Sequence, residues 1–404
     1  MNFILKLKLP LILITALIAR LISILYFRDL LIVNEWSILL ENLENNKVLS
    51  VHSVNGEPVP NIFMPPLYPL FLYFLKIIFS DFNQFLWSIQ FSQLIFSLLA
   101  VYLANKILLE FFSPNMSALG TFIFAIFPLN VYAVSQVSSI TLQVLLLNIF
   151  LYSFIRLFKG NNNKYIFLFS ISSGALMLIR GEFFIFVILS IIYLFLNDKN
   201  IKKVLLVSLL SVLVISPYLY RNFEIFGVIT ITKSSGYNLL KGNHPNTKVE
   251  GTPMFLKVGE VVPEVKLELQ NLSSKGPSQT YDLSQDKILL NQAIKFIKED
   301  PKKYIILYFQ KFFSFMFFDL NASYRNYYSI AHIVPKIILA ISTLAGIILS
   351  FKLKLNIVNY ISLYYFANLG LFSFFFILPR YSLSLLIIQV ILSLFVLKKI
   401  KPSL

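Results

Sequence analysis

The sequence is dominated by uninterrupted apolar runs, most of them long enough to cross a lipid bilayer as a helix. A spanning helix needs about 20 apolar residues for a hydrocarbon core of roughly 30 Å. Runs near this length lie at residues 8–27, 84–108, 115–134, 138–158, 164–180, 182–196, 203–220, 332–351, 355–377 and 379–397. Mean hydropathy is +0.75, which excludes an ordinary soluble domain. The sequence predicts an all-α polytopic membrane protein of about ten transmembrane helices, with interfacial helices and a small external cap.

The basic residues lie in short gaps between the apolar runs. With the N-terminus inside, the gaps on the inner side carry two acids, Glu110 and Asp198. The basic residues in the same gaps are Lys6, Lys8, Lys106, Arg156, Lys159, Lys164, Lys199, Lys202, Lys203, Lys352, Lys354, Lys398, Lys399 and Lys401. Cytoplasmic loops of membrane proteins are enriched in Lys and Arg. The net charge of +16 therefore indicates orientation, and no nucleic-acid partner is predicted.

Two shorter apolar stretches, 66–79 and 304–318, do not fit this pattern. As helices they would rise only about 21–23 Å. If either one alone crossed the membrane, every loop after it would lie on the opposite side. Both are therefore predicted to lie along the outer membrane interface. A third helix is predicted between Gln285 and Asp300, ending at Pro301, from the spacing of Ile288, Leu289, Ala293, Phe296 and Ile297.

These spans give one membrane domain, residues 1–404, with two long external segments. Residues 28–83 form an external first loop with interfacial helices, and residues 221–331 form an external loop or cap. Residues 332–404 carry the C-terminal transmembrane helices. Both external segments emerge on the same side, so the chemistry is expected at that water interface.

Carboxylates in the first external loop are candidates for acid–base chemistry. Glu35 follows the first span closely, and a carboxylate at a membrane boundary serves as a general base toward a hydroxyl when its pKa is raised. The competing interpretation is a solvated helix face, which is favoured for Glu41 and Glu44. Asp29 is either a second candidate or an ion-pair partner of the adjacent Arg28.

Three arginines fall at outer ends of spans, against the orientation rule. They are Arg180, Arg221 and Arg380. The planar guanidinium donates two parallel hydrogen bonds to phosphate, so together they favour a lipid-phosphate pocket over contacts with headgroups. Arg20 lies inside the first span and is expected to face the bundle interior in a structural pairing.

Other kinds of site are disfavoured. His52, His244 and His332 have no metal-ligand spacing, and no glycine-rich phosphate loop is present.

Several short motifs follow one another along nearly the whole chain. They are Asn34-Glu35-Trp36, Pro65-Pro66-Leu67-Tyr68-Pro69, Leu178-Ile179-Arg180-Gly181-Glu182, Pro217-Tyr218-Leu219-Tyr220-Arg221-Asn222 with Phe226-Gly227, Gly236-Tyr237-Asn238-Leu239 with Gly242-Asn243-His244-Pro245, Ala293-Ile294-Lys295-Phe296-Ile297 with Asp300-Pro301, and Pro379-Arg380-Tyr381. In this order they resemble the GT-C membrane glycosyltransferases that use polyprenyl-phosphate sugars, of the bacterial protein O-mannosyltransferase and aminoarabinose transferase type.

The resemblance implies an inverting hexosyl- or pentosyltransferase in the bacterial inner membrane, with its active site facing outward. The donor would be a polyprenyl-phosphate sugar, and the acceptor a glycan, lipid or protein. Its implied site has Glu35 and Asp29 as catalytic residues and Arg180, Arg221 and Arg380 at the donor phosphate. Motif residues expected to contact substrate are Asn34, Tyr68, Glu182, Asn222 and Tyr381.

The sequence departs from the family pattern at two acidic positions, which leaves metal binding open. Asn34 stands where the family usually has the first acid of a pair, and the outer loop Ser135-Gln136-Val137-Ser138-Ser139 carries no acid. Divalent cations prefer charged oxygen ligands. Either Asp29 substitutes, or catalysis is metal-free, or this copy is impaired.

Two other functions remain as alternatives. An O-antigen polymerase or ligase would depend on basic outer residues without needing the first-loop acids. A lipid or sugar transporter would be expected to show pseudo-symmetric halves with broken helices, and no such halves are apparent in the sequence.

Overall fold

The computed structural model describes residues 8–33, 35–160, 162–250, 263–319, 329–354 and 356–400. Asn34 and parts of both external segments lie outside these ranges. The described chain is almost entirely helical, as predicted. Its one strand pair is a short antiparallel hairpin of β1 (Ser53–Val54) and β2 (Glu57–Pro58) in the first external loop.

Each predicted span contains an observed helix. These are α1 (Leu9–Phe27), α4 (Phe82–Leu108), α5 (Pro114–Ile126), α7 (Ile140–Lys159), α8 (Asn163–Ile179), α9 (Phe183–Asp198), α10 (Ile201–Phe226), α15 (Ile330–Lys352), α16 (Asn356–Ser373) and α17 (Leu386–Ile400). Among the described residues, six helices are long and apolar enough to cross a membrane, or seven if α5 and the following bent segment are one span. The protein is therefore an integral membrane protein, and the count of ten spans stays a prediction.

The remaining helices belong to the external segments and the span ends. They are α2 (Glu35–Asn45), α3 (Leu67–Ile78), α6 (Pro128–Tyr132), α11 (Ser235–Gly242), α12 (Pro263–Ser273), α13 (Tyr281–Glu299) and α14 (Pro301–Met316), with 3₁₀ turns at Ala133–Ser135 and Pro379–Leu385. The 12 residues of α3 and 16 residues of α14 are short for a span, as the sequence predicted.

Small residues let the membrane helices pack closely. A side chain at Gly174 in α8 would meet Val214 of α10 at 2.5 Å, and one at Gly346 in α15 would meet the Leu392 carbonyl of α17 at 2.1 Å. Such close backbone approach is how helices associate in lipid, where hydrophobic burial gives no driving force.

Arg20 confirms its predicted orientation toward the bundle interior. It is fully buried, and its Nε donates to Ser97 Oγ at 2.6 Å while Nη1 donates to the Ala125 carbonyl at 2.8 Å. These bonds offset part of the cost of taking the guanidinium out of water.

The basic gaps meet at one end of the bundle. Glu110 pairs there with Arg156 at 3.0 Å and Lys159 at 2.9 Å. Burial would raise the pKa of Glu110, but these two cations outweigh it and lower the pKa. In the same region Lys203 Nζ donates to the Leu157 carbonyl at 2.6 Å. Basic segments that the sequence assigned to the inner side, and that are far apart in the chain, thus lie together in the structure.

Both external segments pack together at the other end. Asp282 of α13 lies 2.7 Å from His52 Nδ1 and accepts the backbone N–H groups of Ile62 at 2.9 Å and Phe63 at 3.2 Å. The predicted apolar face of α13 is confirmed, because Leu289 and Ala293 are buried against α11 and α12. Asp300 then caps α14, accepting the Lys303 N–H at 3.1 Å, so Pro301 redirects the chain as expected.

Candidate active site

Asp29 is fixed on the acid-free outer loop that follows α6. The Asp29 N–H donates to the Ser135 carbonyl at 3.0 Å, and Asp29 Oδ2 accepts the Val137 N–H at 2.7 Å. The loop is itself anchored by Gln93 of α4, whose amide donates to the carbonyls of Val134 and Gln136. Asp29 therefore supplies a carboxylate at the loop where the sequence has none.

Arg380 faces the same loop from the C-terminal side of the bundle. The 3₁₀ turn that starts at Pro379 presents its side chain to a cavity that is also lined by Tyr132, Gln136 and Ser138. Arg380 is exposed, and its guanidinium makes no hydrogen bond or ion pair within the described chain. Burial raises the pKa of Asp29, although the Val137 N–H and the charge of Arg380 partly offset this effect.

Glu35 and Lys241 join this group of charges. Glu35 is the first residue of α2 and is partly buried, while Lys241 lies in the last turn of α11. Burial lowers the pKa of Lys241; the nearby charge of Glu35 raises it, and that of Arg380 lowers it further. The structure therefore brings Asp29, Glu35, Lys241 and Arg380 into one electrostatic neighbourhood.

Tyr68 is a buried aromatic residue near Asp29. Its ring centre lies 5.0 Å from that of Trp36, and the side chain is 2% exposed. Within the described residues its hydroxyl has no hydrogen-bond partner, which is costly for a buried polar atom. Burial and the charge of Asp29 raise its pKa. The Tyr68 hydroxyl is thus a buried polar group near Asp29 that has no hydrogen-bond partner among the described residues.

Arg180 lies beside this group but is already paired. Its Nε donates to Glu182 Oε1 at 2.6 Å, and its guanidinium lies 4.2 Å from the ring centre of Tyr381. Arg180 thus contacts two other predicted site residues, Glu182 and Tyr381, and Tyr381 directly follows Arg380 in the chain.

Arg221 and Asn222 contact the scaffold. Arg221 Nη1 donates to the Asn61 carbonyl and to Asn222 Oδ1, both at 2.7 Å. Asn222 is fully buried, and its amide donates to the Thr230 carbonyl at 2.7 Å. These bonds join α10 to the two external segments, and their predicted contacts with substrate stay predictions.

The described residues do not suit a divalent metal. No group of three or more His, Asp or Glu side chains lies close enough to share an ion in the described parts of the chain. The carboxylates of Asp29 and Glu35 instead have Arg380 and Lys241 as charged neighbours, which would repel a cation. A site of this charge is better matched to an anion.

Lys241 was missed by the sequence analysis. It lies between the quoted Gly236-Tyr237-Asn238-Leu239 and Gly242-Asn243 motifs. A basic residue beside a predicted outer motif opposes the positive-inside rule in the same way as the three arginines, and this signal could have identified it. The role of Gln93 in holding the outer loop has no comparable signature, because it depends on a contact between α4 and a loop about forty residues later.

A sequence profile of the family described as dolichyl-phosphate-mannose-protein mannosyltransferase matches residues 64–220, which is less than half of the chain. No curated protein sequence matches. The matched region runs from the Pro-rich motif before α3 to the outer half of α10.

The fold is similar to the oligosaccharyltransferase of Archaeoglobus fulgidus. In its apo form that structure is 15% identical with a TM-score of 0.56, over 98% of this chain and 51% of that one. Its form tethered to an acceptor peptide with an NVT sequon is 16% identical with a TM-score of 0.55, over 97% and 49%. This chain thus spans about half the length of the oligosaccharyltransferase.

A weaker likeness is found to ArnT from Cupriavidus metallidurans bound to undecaprenyl phosphate, at 11% identity and a TM-score of 0.45 over 96% of this chain and 77% of that one. The oligosaccharyltransferase comparison shows a similar fold over nearly the whole of this chain. The all-helical membrane fold that the sequence motifs implied is confirmed at this level.

Proposed function

We propose that the protein is a glycosyltransferase that moves a sugar from a polyprenyl-phosphate donor to a glycan, lipid or protein acceptor. The carrying observation is the position of Arg380, which is exposed, lines a cavity and makes no hydrogen bond or ion pair within the described residues. Its charge acts on Asp29 and on Lys241, and Lys241 is in turn near Glu35. The match to the mannosyltransferase profile supports the donor class. The membrane would be the bacterial inner membrane, with the capped end facing outward.

The reaction needs a base for the acceptor and charge stabilisation for the leaving group. The acceptor hydroxyl oxygen bonds to the anomeric carbon of the sugar, and its proton passes to a carboxylate. The bond from that carbon to the phosphate oxygen breaks, and its electron pair stays on the phosphate. Attack opposite the leaving phosphate inverts the anomeric centre.

Asp29 is our proposed proton acceptor. Its backbone contacts fix the carboxylate, and a raised pKa makes it a better base than an ordinary aspartate. Glu35, the acid that matches the family motif, would contact the acceptor from the start of α2. Tyr68, which is near Asp29 and packs against Trp36, would contact the substrate beside these two acids.

Arg380 is our proposed phosphate contact, because fixed cations stabilise charge that develops on a leaving phosphate. Arg180, with Glu182 and Tyr381, would border the donor at the same edge. Arg221 and Asn222 would act from the scaffold by holding residues 61 and 230 in place.

The proposed roles of Asp29 and Glu35 are tested in a strain that lacks the gene and expresses one variant at a time. The measurement is an analysis of its glycans. Asp29→Asn and Glu35→Gln should each lower transfer by about 10²–10⁴-fold, the usual contribution of a positioned acid or base. Glu41→Gln is the matched control, since Glu41 is exposed on the same helix as Glu35. Membrane insertion of all variants is checked by fractionation.

Normal glycans with both Asp29→Asn and Glu35→Gln would contradict the proposal. If Glu35→Gln were silent and Arg221→Ala inactive, an O-antigen polymerase or ligase mechanism would replace it.

A further inference from the structure

A second cavity lies at the basic end of the bundle. It has a volume of about 310 Å³ and is lined by Arg156, Lys159, Gly160, Asn162 and Tyr165. Its walls are the end of α7, the start of α8 and the turn between them. Helix α7 begins at Ile140, which lines the cavity at Arg380, and its 20 residues rise about 30 Å. The two cavities are therefore about one membrane thickness apart.

The two cations of this second cavity share one carboxylate. Glu110 Oε1 accepts from Arg156 Nη1 at 3.0 Å, and Glu110 Oε2 accepts from Lys159 Nζ at 2.9 Å. The three groups together keep one net positive charge. The side chains of Arg156 and Lys159 are 41% and 43% exposed, and within the described residues Nε and Nη2 of Arg156 make no hydrogen bond. One edge of the guanidinium thus remains open to a second anion.

The rest of the cavity wall adds a free amide and an open stretch of backbone. Asn162 Oδ1 caps α8 by accepting the Lys164 N–H at 2.9 Å, while its amide N–H groups make no hydrogen bond within the described residues. A side chain added at Gly160 would meet nothing within 4 Å. The Arg156 guanidinium carbon lies 5.0 Å from the ring centre of Tyr165, which holds the arginine against the start of α8.

The cavity lies next to a helix that faces lipid. Further along α8, the side chains of Phe167 and Ile171 are 53% and 55% exposed, so part of this helix is in contact with acyl chains. A basic cavity at the end of such a helix is reached from the headgroup layer. This is the setting in which basic pockets between membrane helices bind anionic headgroups.

We propose that this cavity binds the headgroup of an anionic phospholipid, in the leaflet opposite the candidate active site. The phosphodiester would accept hydrogen bonds from the open edge of the Arg156 guanidinium and from the Asn162 amide, beside Lys159. Glu110 holds the two cations in position and, by occupying one side of each, limits the affinity. The acyl chains would lie along the exposed face of α8. The inference is independent of the proposed function.

Binding of phosphatidylglycerol to the purified full-length protein in detergent, titrated by native mass spectrometry, tests this proposal. Phosphatidylcholine is the zwitterionic comparison lipid and should bind more weakly. Arg156→Gln should weaken phosphatidylglycerol binding by about tenfold or more, because a charge-assisted hydrogen bond is lost. Glu110→Gln should strengthen it, because Arg156 and Lys159 lose their competing anion. An ion pair with a purely structural role would not give opposite changes in the two variants.

Lys352→Met is the matched control. Lys352 is an exposed lysine that the sequence assigns to the same side of the membrane, but it does not line the cavity. Its loss should leave phosphatidylglycerol binding unchanged. Thermal unfolding checks that each variant is folded. If Arg156→Gln does not fold, Asn162→Asp replaces it, since an aspartate keeps the helix cap but repels the headgroup, and it should also weaken binding.

Three results would overturn the proposal. The first is wild-type phosphatidylglycerol binding by both Arg156→Gln and Glu110→Gln. The second is displacement of the lipid by inorganic phosphate at the same concentration, which would make this a site for a free ion. The third is loss of the Arg156→Gln effect in an Arg380→Gln background, which would place the bound lipid at the candidate active site.

Discussion

Asp29 shows how one residue changes meaning between sequence and structure. From its place next to Arg28 in the chain, Asp29 could equally be a catalytic candidate or a local ion-pair partner. In the structure the Arg28 guanidinium instead lies 4.0 Å from the ring centre of Trp87. Asp29 bonds to the loop at Ser135 and Val137, more than a hundred residues away. This contact gives the outer loop the carboxylate that its own sequence lacks.

The raised pKa of Asp29 predicts the pH dependence of transfer. A proton acceptor works only when ionised, so kcat/KM should fall as the pH decreases through a pKa above the ordinary value of 3.8. Arg380→Gln removes a charge that lowers this pKa, so the acidic limb should move to higher pH. The measurement is the pH–rate profile of the purified enzyme.

Arg28→Gln is the control for that profile, because Arg28 is adjacent in sequence but its guanidinium lies over the Trp87 ring, 4.0 Å from the ring centre. If the acidic limb of the pH–rate profile does not move in Arg380→Gln, a group other than Asp29 accepts the proton.

At the scale of elements, the short helix α11 depends on its neighbour α14 for its position. Only 8 residues long, it is too short to be stable alone. The Lys311 ammonium closes its C-terminal end, where carbonyl groups lack helical partners. Burial lowers the pKa of Lys311 to about 7, which shows how far this cation is removed from water. The cost is offset by the bonds to Gly242 and Asn243.

Lys311→Met should loosen α11 without unfolding the membrane helices. The variant leaves the Gly242 carbonyl and Asn243 Oδ1 without their donor, which costs about 1–3 kcal/mol. Amide hydrogen exchange in residues 235–247 should accelerate by about tenfold or more. Lys303→Met is the matched control, since Lys303 on the same helix donates to the Pro245 carbonyl but is exposed.

The same lysine has a pH signature. Because the folded-state pKa is lowered, the unfolded chain binds more protons between about pH 7 and the ordinary value of 10.5, so wild-type stability should gain a contribution as pH rises through that window. Lys311→Met should lack this contribution. If the wild type and Lys311→Met showed the same pH dependence of stability and the same amide hydrogen exchange, this would contradict the role of Lys311 in holding the end of α11.

At the scale of the whole molecule, a membrane bundle and an external cap meet where the charges converge. The first external loop packs against the second external segment, which carries α11–α14, and Asp282 is a polar junction between the two. Because the first loop carries Asp29 and Glu35 and the second segment carries Lys241, this junction helps to set their relative positions. Its integrity is a condition for any reaction at the site.

Asp282→Ala should separate the two external segments. It leaves the Ile62 and Phe63 N–H groups and His52 without their shared acceptor, at a cost of about 1–3 kcal/mol for buried donors. Limited proteolysis should cut the first loop faster, and transfer should fall with it. Glu299→Ala is the control, since Glu299 is exposed at the end of the same helix. Unchanged proteolysis in Asp282→Ala would show that other contacts hold the cap.

Much of the architecture could be predicted from the sequence, because it depends on local composition. The apolar runs fixed where the helices lie, the scarcity of polar groups required a lipid environment, and the spacing in α13 identified its buried face. The small hairpin at Ser53–Pro58 was not anticipated. Arg20 was placed correctly, since a charge in mid-span has no stable place facing lipid.

The site itself was decided by the tertiary structure. Contacts between segments far apart in the chain decide which outer cations are paired, as Arg180 and Arg221 are. The same contacts decide which make no hydrogen bond or ion pair within the described residues, as is the case for Arg380 and Lys241. Hydropathy and periodicity show only which segments, and which faces of a segment, are apolar or polar. The meeting of Asp29, Glu35, Lys241 and Arg380 arises from the packing of α1, α2, α11 and the C-terminal turn, which no local pattern encodes.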